Sequence, residues 1–343
     1  MSGINSLELL VLKVIDTLLN IRLNGHTATN HWPGFVYLSM KGLVMRSTGS
    51  WYDVYLDDGR IIPCRTRGKL RLEGYKESNP VAVGDHVELD DLQNEGIITA
   101  IHERKNHIPR QSVKKTGHSH VLAANIDQAV LVVTMILPRT SSGFIDRFLV
   151  TAEAYDIPQA IIFNKQDLLD KESSVLQDQL IAVYEKIGVT CLKISALTDA
   201  VAEVHTLLAN KTSLVAGHSG VGKSTLLNKL SPDIQQSTGE LSGFSDKGTH
   251  TTTFAEMFRL DKRTFVIDTP GIKEWGLVNI SPEELSDHFP EMRALRSECK
   301  FGYRCLHANE PKCAVKEAVE KGEVAVSRYV NYLSMLSGED NRK

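Results

Sequence analysis

The chain has 343 residues, of which 42% are hydrophobic and 24% are charged, and its formal net charge is −3 at pH 7. This length is enough for two or three domains with buried cores, and the composition is ordinary for a globular protein, which argues against a low-complexity or fibrous chain. Five cysteines are too few and too unevenly placed for a disulfide framework, so we expect a reducing, cytoplasmic location.

Residues 1–39 contain an apolar stretch, LELLVLKVIDTLLNIRL. Its four charged side chains argue against a membrane span, which needs about 20 mostly apolar residues. The pattern of a secretory signal peptide is also missing. We therefore expect an N-terminal extension, either an amphipathic helix packed on the body or a partly disordered segment. A second hypothesis is that Met40 is the native start.

Residues 40–108 have the pattern of a small all-β domain. Runs such as WYDVYL and HVELDD alternate, and turn signals separate them. Five short strands in about 70 residues predict an OB-like β-barrel. One predicted strand carries a cation at every second position, which would place four like charges on one face. We expect this face to contact RNA phosphates, although a solvated charged surface is the common alternative. The four cations are Arg65, Arg67, Lys69 and Arg71.

Residues 109–280 alternate predicted strands and predicted helices. The strands include DQAVLVVTMI, AIIFN, TCLKIS, SLVAG and RTFVID. This alternation predicts an α/β domain, with a parallel sheet that is covered by helices on both faces. Residues 281–343 are predicted to be helical, with a cysteine cluster between the helices.

A phosphate-binding loop, GHSGVGKST, is predicted at residues 217–225, between a predicted strand and a predicted helix. Its glycines would let backbone N–H groups surround the phosphates, and the helix N-terminus adds partial positive charge. Lys223 would neutralise the β- and γ-phosphates, and the Ser224 hydroxyl would bind Mg²⁺. The candidate nucleotide contacts are Gly217, His218, Ser219, Gly220, Val221, Gly222, Lys223, Ser224 and Thr225.

A second motif, Asn164-Lys165-x-Asp167, directly follows the predicted strand AIIF. A carboxylate at Asp167 could accept hydrogen bonds from both guanine N1 and the exocyclic amine, a pair of donors that adenine lacks. The aliphatic part of Lys165 could lie along the base. Ser195 and Ala196 follow the strand CLKI and would supply a backbone N–H to guanine O6. Beside a phosphate loop, these residues favour GTP over the ATP of a kinase or ATPase.

Two further segments are candidates for the switch regions of a GTPase. Asp268 ends the strand TFVI and could hold Mg²⁺ through water, while the Gly271 N–H could meet the γ-phosphate. Either Thr251 or Thr252 is expected to complete the Mg²⁺ coordination, and the sequence does not choose between them. The second switch, near Gly271 to Gly276, leads into the C-terminal region, so loss of the γ-phosphate could reorient that region.

A GTPase also needs a residue that orients the attacking water. Many GTPases carry Gln directly after the DxxG glycine, and this chain has Ile272 there, which cannot hydrogen-bond through its side chain. His250 is the best local candidate, since a neutral imidazole can orient a water molecule near pH 7. A histidine that merely packs or is solvated is the alternative.

Four potential metal ligands fall within 15 residues near the C-terminus. Three thiolates and one imidazole suit tetrahedral Zn²⁺ in a closed structural site, which leaves no open position for catalysis. Buried free thiols are the alternative. The ligands are spaced as Cys299-x5-Cys305-x-His307-x5-Cys313.

The motifs resemble those of translation-factor-class GTPases in a permuted order, with the base-reading loops first, the phosphate loop next and the switches last. With an OB-like domain before them and a cysteine–histidine cluster after them, the chain is similar to the RsgA (YjeQ) family of bacterial ribosome-assembly GTPases. The resemblance runs from Lys41 to about Tyr332. A similar histidine in that family supports the role given to His250.

The resemblance implies a circularly permuted GTPase that uses GTP/GDP and Mg²⁺ and carries one structural Zn²⁺. It also implies binding to the small ribosomal subunit and its rRNA late in maturation, hydrolysis stimulated by that subunit, and release afterwards. We expect a monomer that does not associate with membranes. A permuted GTPase that acts on the large subunit and a nucleotide-dependent RNA-binding module with little turnover are the alternatives.

Overall fold

The computed structural model describes residues 39–66, 80–91, 95–110, 120–198, 201–231, 255–269 and 280–338. These residues all belong to one compact unit. The predictions for the segment before residue 39 lie outside the described residues. None of the described helices is long and apolar enough to cross a membrane.

The first five described strands form the predicted OB-like barrel. They are β1 (Ser39–Ser47), β2 (Tyr52–Leu56), β3 (Ile61–Thr66), β4 (His86–Asp91) and β5 (Gly96–Ile101). β1 pairs antiparallel with both β2 and β4, β2 pairs with β3, and β4 pairs with β5. The parallel pairing of β3 with β5 closes the barrel. Alternate apolar residues such as Tyr52, Val54 and Leu56 fill its interior.

A short antiparallel hairpin follows the barrel, made of β6 (His107–Arg110) and β7 (His120–Ala124). It leads into the predicted α/β sheet. The strands of that sheet are β8 (Gln128–Val133), β9 (Gln159–Phe163), β10 (Thr190–Lys193), β11 (Thr212–Ala216), β12 (Glu256–Arg259) and β13 (Phe265–Asp268).

The sheet has the strand order β10-β9-β8-β11-β13-β12, in which every neighbouring pair is parallel except β12 and β13. β12 also pairs with β1 at Arg46 and Glu256, so the barrel and the α/β sheet are continuous. The helices are α1 (Ser142–Glu153), α2 (Lys171–Lys186), α3 (Ala202–Leu208) and α4 (Lys223–Leu230).

Helices cover both faces of this sheet, as predicted. Residues of α1 and α2 pack with one set of strand side chains, including Leu131 and Ile161. Residues of α3 and α4 pack with the alternate set, including Val132 and Ile162. Because a strand that is covered on both faces has no polar side, every residue of β8 is buried.

The C-terminal residues 280–338 form three further helices joined by short 3₁₀ turns, in agreement with the predicted helical region. They are α5 (Pro290–Arg293), α6 (Ala314–Glu320) and α7 (Val326–Leu336). Their hydrophobic core includes Phe289, Met292 and Tyr332, and also Val150 from α1 of the α/β domain. The domain boundaries at 39/40, 108/109 and 280/281 stay predictions.

Candidate functional site

The nucleotide motifs meet at one edge of the α/β sheet. Because β9, β10, β11 and β13 run parallel, the loops that follow them emerge at the same edge, at their carboxyl ends. Residues 164–167 follow β9, residues 195–196 lie just beyond β10, and the phosphate loop follows β11. Asp268 is the last residue of β13. The sheet therefore brings together motifs that are up to about 100 positions apart in the sequence.

The phosphate loop needs its glycines for space as well as for conformation. A Cβ atom on Gly217 would lie 2.5 Å from the Val132 carbonyl oxygen. Gly222 has φ +90°, and a Cβ atom there would lie 2.4 Å from the Asn164 side-chain nitrogen. Larger residues at either position would collide with a neighbouring loop or strand, so the loop can close tightly only with glycine.

Lys223 begins helix α4 and points towards the end of β13. Its Nζ atom lies 2.6 Å from Asp268 Oδ1, and the two side chains are only 14% and 15% exposed. Ser224 and Thr225, in the same first turn, are half-buried. Binding of the β- and γ-phosphates would require an ammonium group that can exchange its carboxylate partner for phosphate oxygens, and Lys223 has such a group.

Asn164 joins the base-reading loops to the phosphate loop. It is 2% exposed, and its Nδ2 donates a hydrogen bond of 2.8 Å to the Val221 carbonyl oxygen. Its Oδ1 accepts a 2.9 Å bond from the Ala196 N–H. Because both ends of the amide are used inside the protein, Asn164 acts as a brace between loops. Its contact with the base stays a prediction.

The other residues of the base-reading loops are arranged around this brace. Asp167 is exposed and accepts a hydrogen bond from the Ser195 hydroxyl, which orients its carboxylate. Lys165 has φ +64° and donates from Nζ to the Leu137 carbonyl oxygen. The Ala196 N–H, one of the backbone donors that the sequence offers to guanine O6, is donated to Asn164 in this structure.

Sequence reasoning missed one loop of this site, residues 134–141, which follows β8. Pro138 lies beside Gly220, with its Cδ 3.4 Å from the position of a Cβ there. Behind this loop, the Phe144 ring of α1 packs against the His218 ring of the phosphate loop, with centroids 3.8 Å apart and planes at 31°. This loop belongs to the site because β8 lies between β9 and β11 in the sheet. Only the strand order shows this position, and a local sequence pattern does not.

Several predicted functional residues lie outside the part of the chain that the structure describes, and their roles stay predictions. In the candidate RNA-binding strand only Arg65 is described: it lies on the exposed face of β3, with its guanidinium carbon 3.7 Å from the centre of the Trp51 ring. The residues outside the described ranges are Arg67, Lys69, Arg71, His250, Thr251, Thr252 and Gly271.

The four predicted zinc ligands converge in the C-terminal domain. All four are buried, and their ligand atoms lie within 4.8 Å of one another. The Cys299 and Cys313 sulfurs are 3.9 Å apart, and His307 Nδ1 is 3.6 Å from the first and 3.3 Å from the second. A tetrahedral Zn²⁺ ion with bonds of about 2.3 Å to sulfur would place its sulfur ligands about 3.8 Å apart. The four residues are therefore close enough together to hold a zinc ion.

The protonation chemistry of the cluster also suits a metal. Burial raises the pKa of the Cys305 thiol to about 12 and lowers the pKa of the His307 imidazole. A divalent cation among the sulfurs would reverse the effect on the thiols, and a neutral imidazole is the form that binds metal. Tyr329 and Tyr332 donate hydrogen bonds of 2.6 Å to the carbonyls of His307 and Leu306, which fixes the ligand loop on α7.

Comparisons with curated proteins extend over most of the chain. A protein of Bacteroides fragilis named "Small ribosomal subunit biogenesis GTPase RsgA" is 48% identical over 307 residues, which cover 89% of this chain and 98% of that protein. A Flavobacterium johnsoniae protein with the same name is 48% identical over 308 residues, or 88% of this chain and 94% of that protein.

Solved structures and family models agree with these relatives. YjeQ from Thermotoga maritima superposes with a TM-score of 0.71 at 35% identity, covering 89% of this chain and 100% of its own. YloQ, described as a circularly permuted GTPase, gives 0.67 at 32% identity, covering 92% of this chain and 99% of its own. The model for the RsgA N-terminal domain matches residues 41–98, and the model for the RsgA GTPase matches residues 101–278. The chain therefore belongs to the RsgA GTPase family.

Proposed function

We propose that this protein is a cytoplasmic GTPase that binds the small ribosomal subunit and assists its late maturation. In this proposal the subunit stimulates GTP hydrolysis, and hydrolysis is coupled to release. The observation that carries it is the convergence of a guanine-type loop, Asp167 with Ser195, and a phosphate loop with Lys223 at one sheet edge. The family and the names of its curated members supply the subunit as the partner.

The nucleotide would lie along this edge with its base at residues 164–167 and its phosphates at residues 217–225. Asp167 would select guanine, since a carboxylate that is oriented by Ser195 can accept from guanine N1 and the exocyclic amine. Lys223 would leave Asp268 for the β- and γ-phosphates, which converts one charge-assisted contact into another.

When bound, Mg²⁺ would supply positive charge that neutralises the phosphates. The Ser224 hydroxyl in the first turn of α4 and Asp268 at the end of β13 would hold it, the latter through water. We assign the remaining ligand to Thr251 or Thr252, the γ-phosphate contact to the Gly271 N–H, and the orientation of the attacking water to His250.

RNA contacts would come from both flanking domains. The barrel presents Arg65 on an exposed strand face, in the segment whose further cations are Arg67, Lys69 and Arg71. Three exposed cations lie in the loop that carries the zinc ligands of the C-terminal domain, where they could meet phosphates. They are Lys300, Arg304 and Lys312.

The test is GTP turnover by the full chain with and without purified small subunits, using large subunits and ATP as comparisons. The proposal expects little turnover alone and a large increase with small subunits only. Stimulation by large subunits instead would favour the alternative permuted GTPase. Absence of turnover under all conditions would favour an RNA-binding module in which the nucleotide is structural.

The role of His250 is tested in the same assay. We expect His250→Ala to bind GTP as the wild type does and to lose the stimulated hydrolysis, because the attacking water is no longer oriented. His205→Ala is a matched control, since His205 is an exposed histidine on α3. Stimulated turnover that is unchanged in the His250 variant would remove this residue from the mechanism.

A further inference from the structure

A buried network of charges fastens the zinc-binding domain to helix α1 of the GTPase domain. The Asp146 carboxylate on α1 accepts hydrogen bonds of 2.8 Å from Arg328 and 2.6 Å from Asn331, both on α7. Arg328 also donates to Glu291 on α5, at 2.7 and 3.1 Å. Asp146 is 0% exposed and Arg328 is 1% exposed, so both charges depend on protein partners for their polar contacts.

Such a network fixes geometry more than it adds stability. Removing two charges from water costs several kcal/mol per ion, which the ion pair only roughly repays. Its directional hydrogen bonds nevertheless allow one relative position of α1 and α7, since any displacement leaves a buried charge without its partner. Val150, one turn after Asp146 on α1, packs in the C-terminal core and holds the same helix by an apolar contact.

The first turn of α1 is also where the nucleotide site is supported. Asn331 donates a second hydrogen bond, of 3.2 Å, to the Ser142 hydroxyl at the start of the helix. Two residues further on, Phe144 packs its ring on His218 of the phosphate loop, at 3.8 Å between centroids. Phe144 is 2% exposed, so its position is set by α1 and fixes in turn the position of His218.

We propose that Phe144 is a positioning residue for the phosphate loop and that the zinc-binding domain sets nucleotide affinity through it, by way of Asn331 and Arg328. The inference rests on the proposed nucleotide site but does not involve the ribosome. It defines a route between the two domains that runs through α1 and is separate from the second switch. Because coupling is reciprocal, nucleotide that orders the phosphate loop must also stabilise the contact of α7 with α1.

The first test measures the affinity for a fluorescent GDP analogue in the full-length, zinc-loaded protein. Asn331→Ala removes the two bonds that Asn331 donates to Ser142 and Asp146, keeps the bond from Arg328 to Asp146 and changes no residue of the nucleotide loops. Phe144→Leu removes the ring contact with His218. Each variant is expected to bind about fivefold more weakly, the lower end of the range for coupled sites, with a raised KM for GTP and an unchanged kcat.

Val54→Ala is the matched control, because Val54 is fully buried in the separate core of the barrel. It is expected to lower the melting temperature without changing GDP affinity. An Asn331→Ala protein with wild-type affinity and KM would overturn the proposal. If the wild-type chain itself binds no guanine nucleotide, the proposed function fails instead, so the two failures are distinguishable.

The second test is amide hydrogen exchange in α7 with and without GDP. Binding of GDP is expected to slow exchange at residues 326–336 of the wild type several-fold and to have little effect there in Phe144→Leu at saturating GDP. Strand β2 of the barrel serves as the internal reference. Protection of α7 that is the same in the wild type and in Phe144→Leu would show that the signal does not pass through Phe144 and would refute the route.

Discussion

The brace made by Asn164 leads to a prediction with a magnitude that the structure sets. Asn164→Ala removes two hydrogen bonds at once, one to the Val221 carbonyl and one from the Ala196 N–H. Val221 and Ala196 are 0% and 3% exposed, so the groups left behind have little access to water. The phosphate loop and the base-reading loop then lose their shared support.

The cost follows from the groups that lose their partners. A buried donor or acceptor without a partner costs about 1–3 kcal/mol, so the two together cost roughly 2–6 kcal/mol of unfolding free energy. For a domain of this size, 1 kcal/mol corresponds to about 2–4 °C, so the melting temperature should fall by at least roughly 4 °C. The affinity for GDP should fall more than about tenfold, because both halves of the binding site depend on the same amide.

Thermal unfolding and GDP titration of three variants check this reasoning. Asn164→Asp keeps the acceptor for Ala196 but sets a carboxylate against the Val221 carbonyl, so it should also be destabilised. Asn309→Ala, at an exposed position, should change the melting temperature by no more than about 1–2 °C. If Asn164→Ala melts and binds GDP as the control does, the brace does not support the site and the argument is wrong.

The base-reading loop, the phosphate loop and the zinc cluster can each be tested by a single substitution. Asp167→Asn should prefer xanthine over guanine nucleotides, because an amide can donate to the carbonyl that replaces the exocyclic amine. Competition binding with XTP and GTP measures this preference, and a retained preference for GTP would contradict the prediction. Gly222→Ala should be less stable by about 1–3 kcal/mol, since its φ is +90° and the new Cβ would lie 2.4 Å from the Asn164 amide; chemical denaturation against Gly49→Ala, whose added Cβ meets no atom within 4 Å at a similar φ, separates crowding from backbone strain. The purified protein should contain one zinc ion per chain, and Cys305→Ser should lose both the ion and the cooperative unfolding of residues 280–338. Metal analysis measures the zinc content, and a chelator titration followed by circular dichroism measures the unfolding. A Cys305→Ser protein with full zinc content would exclude this cluster as the zinc site.

Local patterns were sufficient for the architecture and for the chemistry of the ligands. Five short alternating runs, among them those of β2 and β4, predicted a barrel, and the alternation of strands with helices predicted the parallel sheet. The cysteine–histidine spacing predicted a cluster that the structure assembles within 4.8 Å. In each of these cases the residues that decide the outcome lie close together in the sequence, so their periodicity or spacing carries the information.

Contacts between distant segments could not be predicted in the same way. Asn164 was placed at the base because its motif is a base-reading motif, but the acceptor for its amide, Val221, lies 57 positions away. Arg104 pairs with Asp85 at 2.7 Å, with the two side chains 1% and 0% exposed, and the two residues are 19 positions apart. Such partners depend on strand order and on which charges become buried, and neither is visible in a local pattern.

The order of the motifs along the chain places the zinc-binding domain against the nucleotide edge in two ways. The chain continues towards this domain after Asp268, whose carboxylate holds Lys223 in the described structure. The domain then returns to the α/β sheet through α7, whose Arg328 and Asn331 hold α1 beside the phosphate loop. Covalent continuity and buried hydrogen bonds both link the phosphate loop to this domain. We therefore expect a change at the phosphates to alter the position of the domain even when one of the two connections is lost. The Asn331→Ala variant weakens the packed connection, and the covalent one remains together with the Arg328–Asp146 pair.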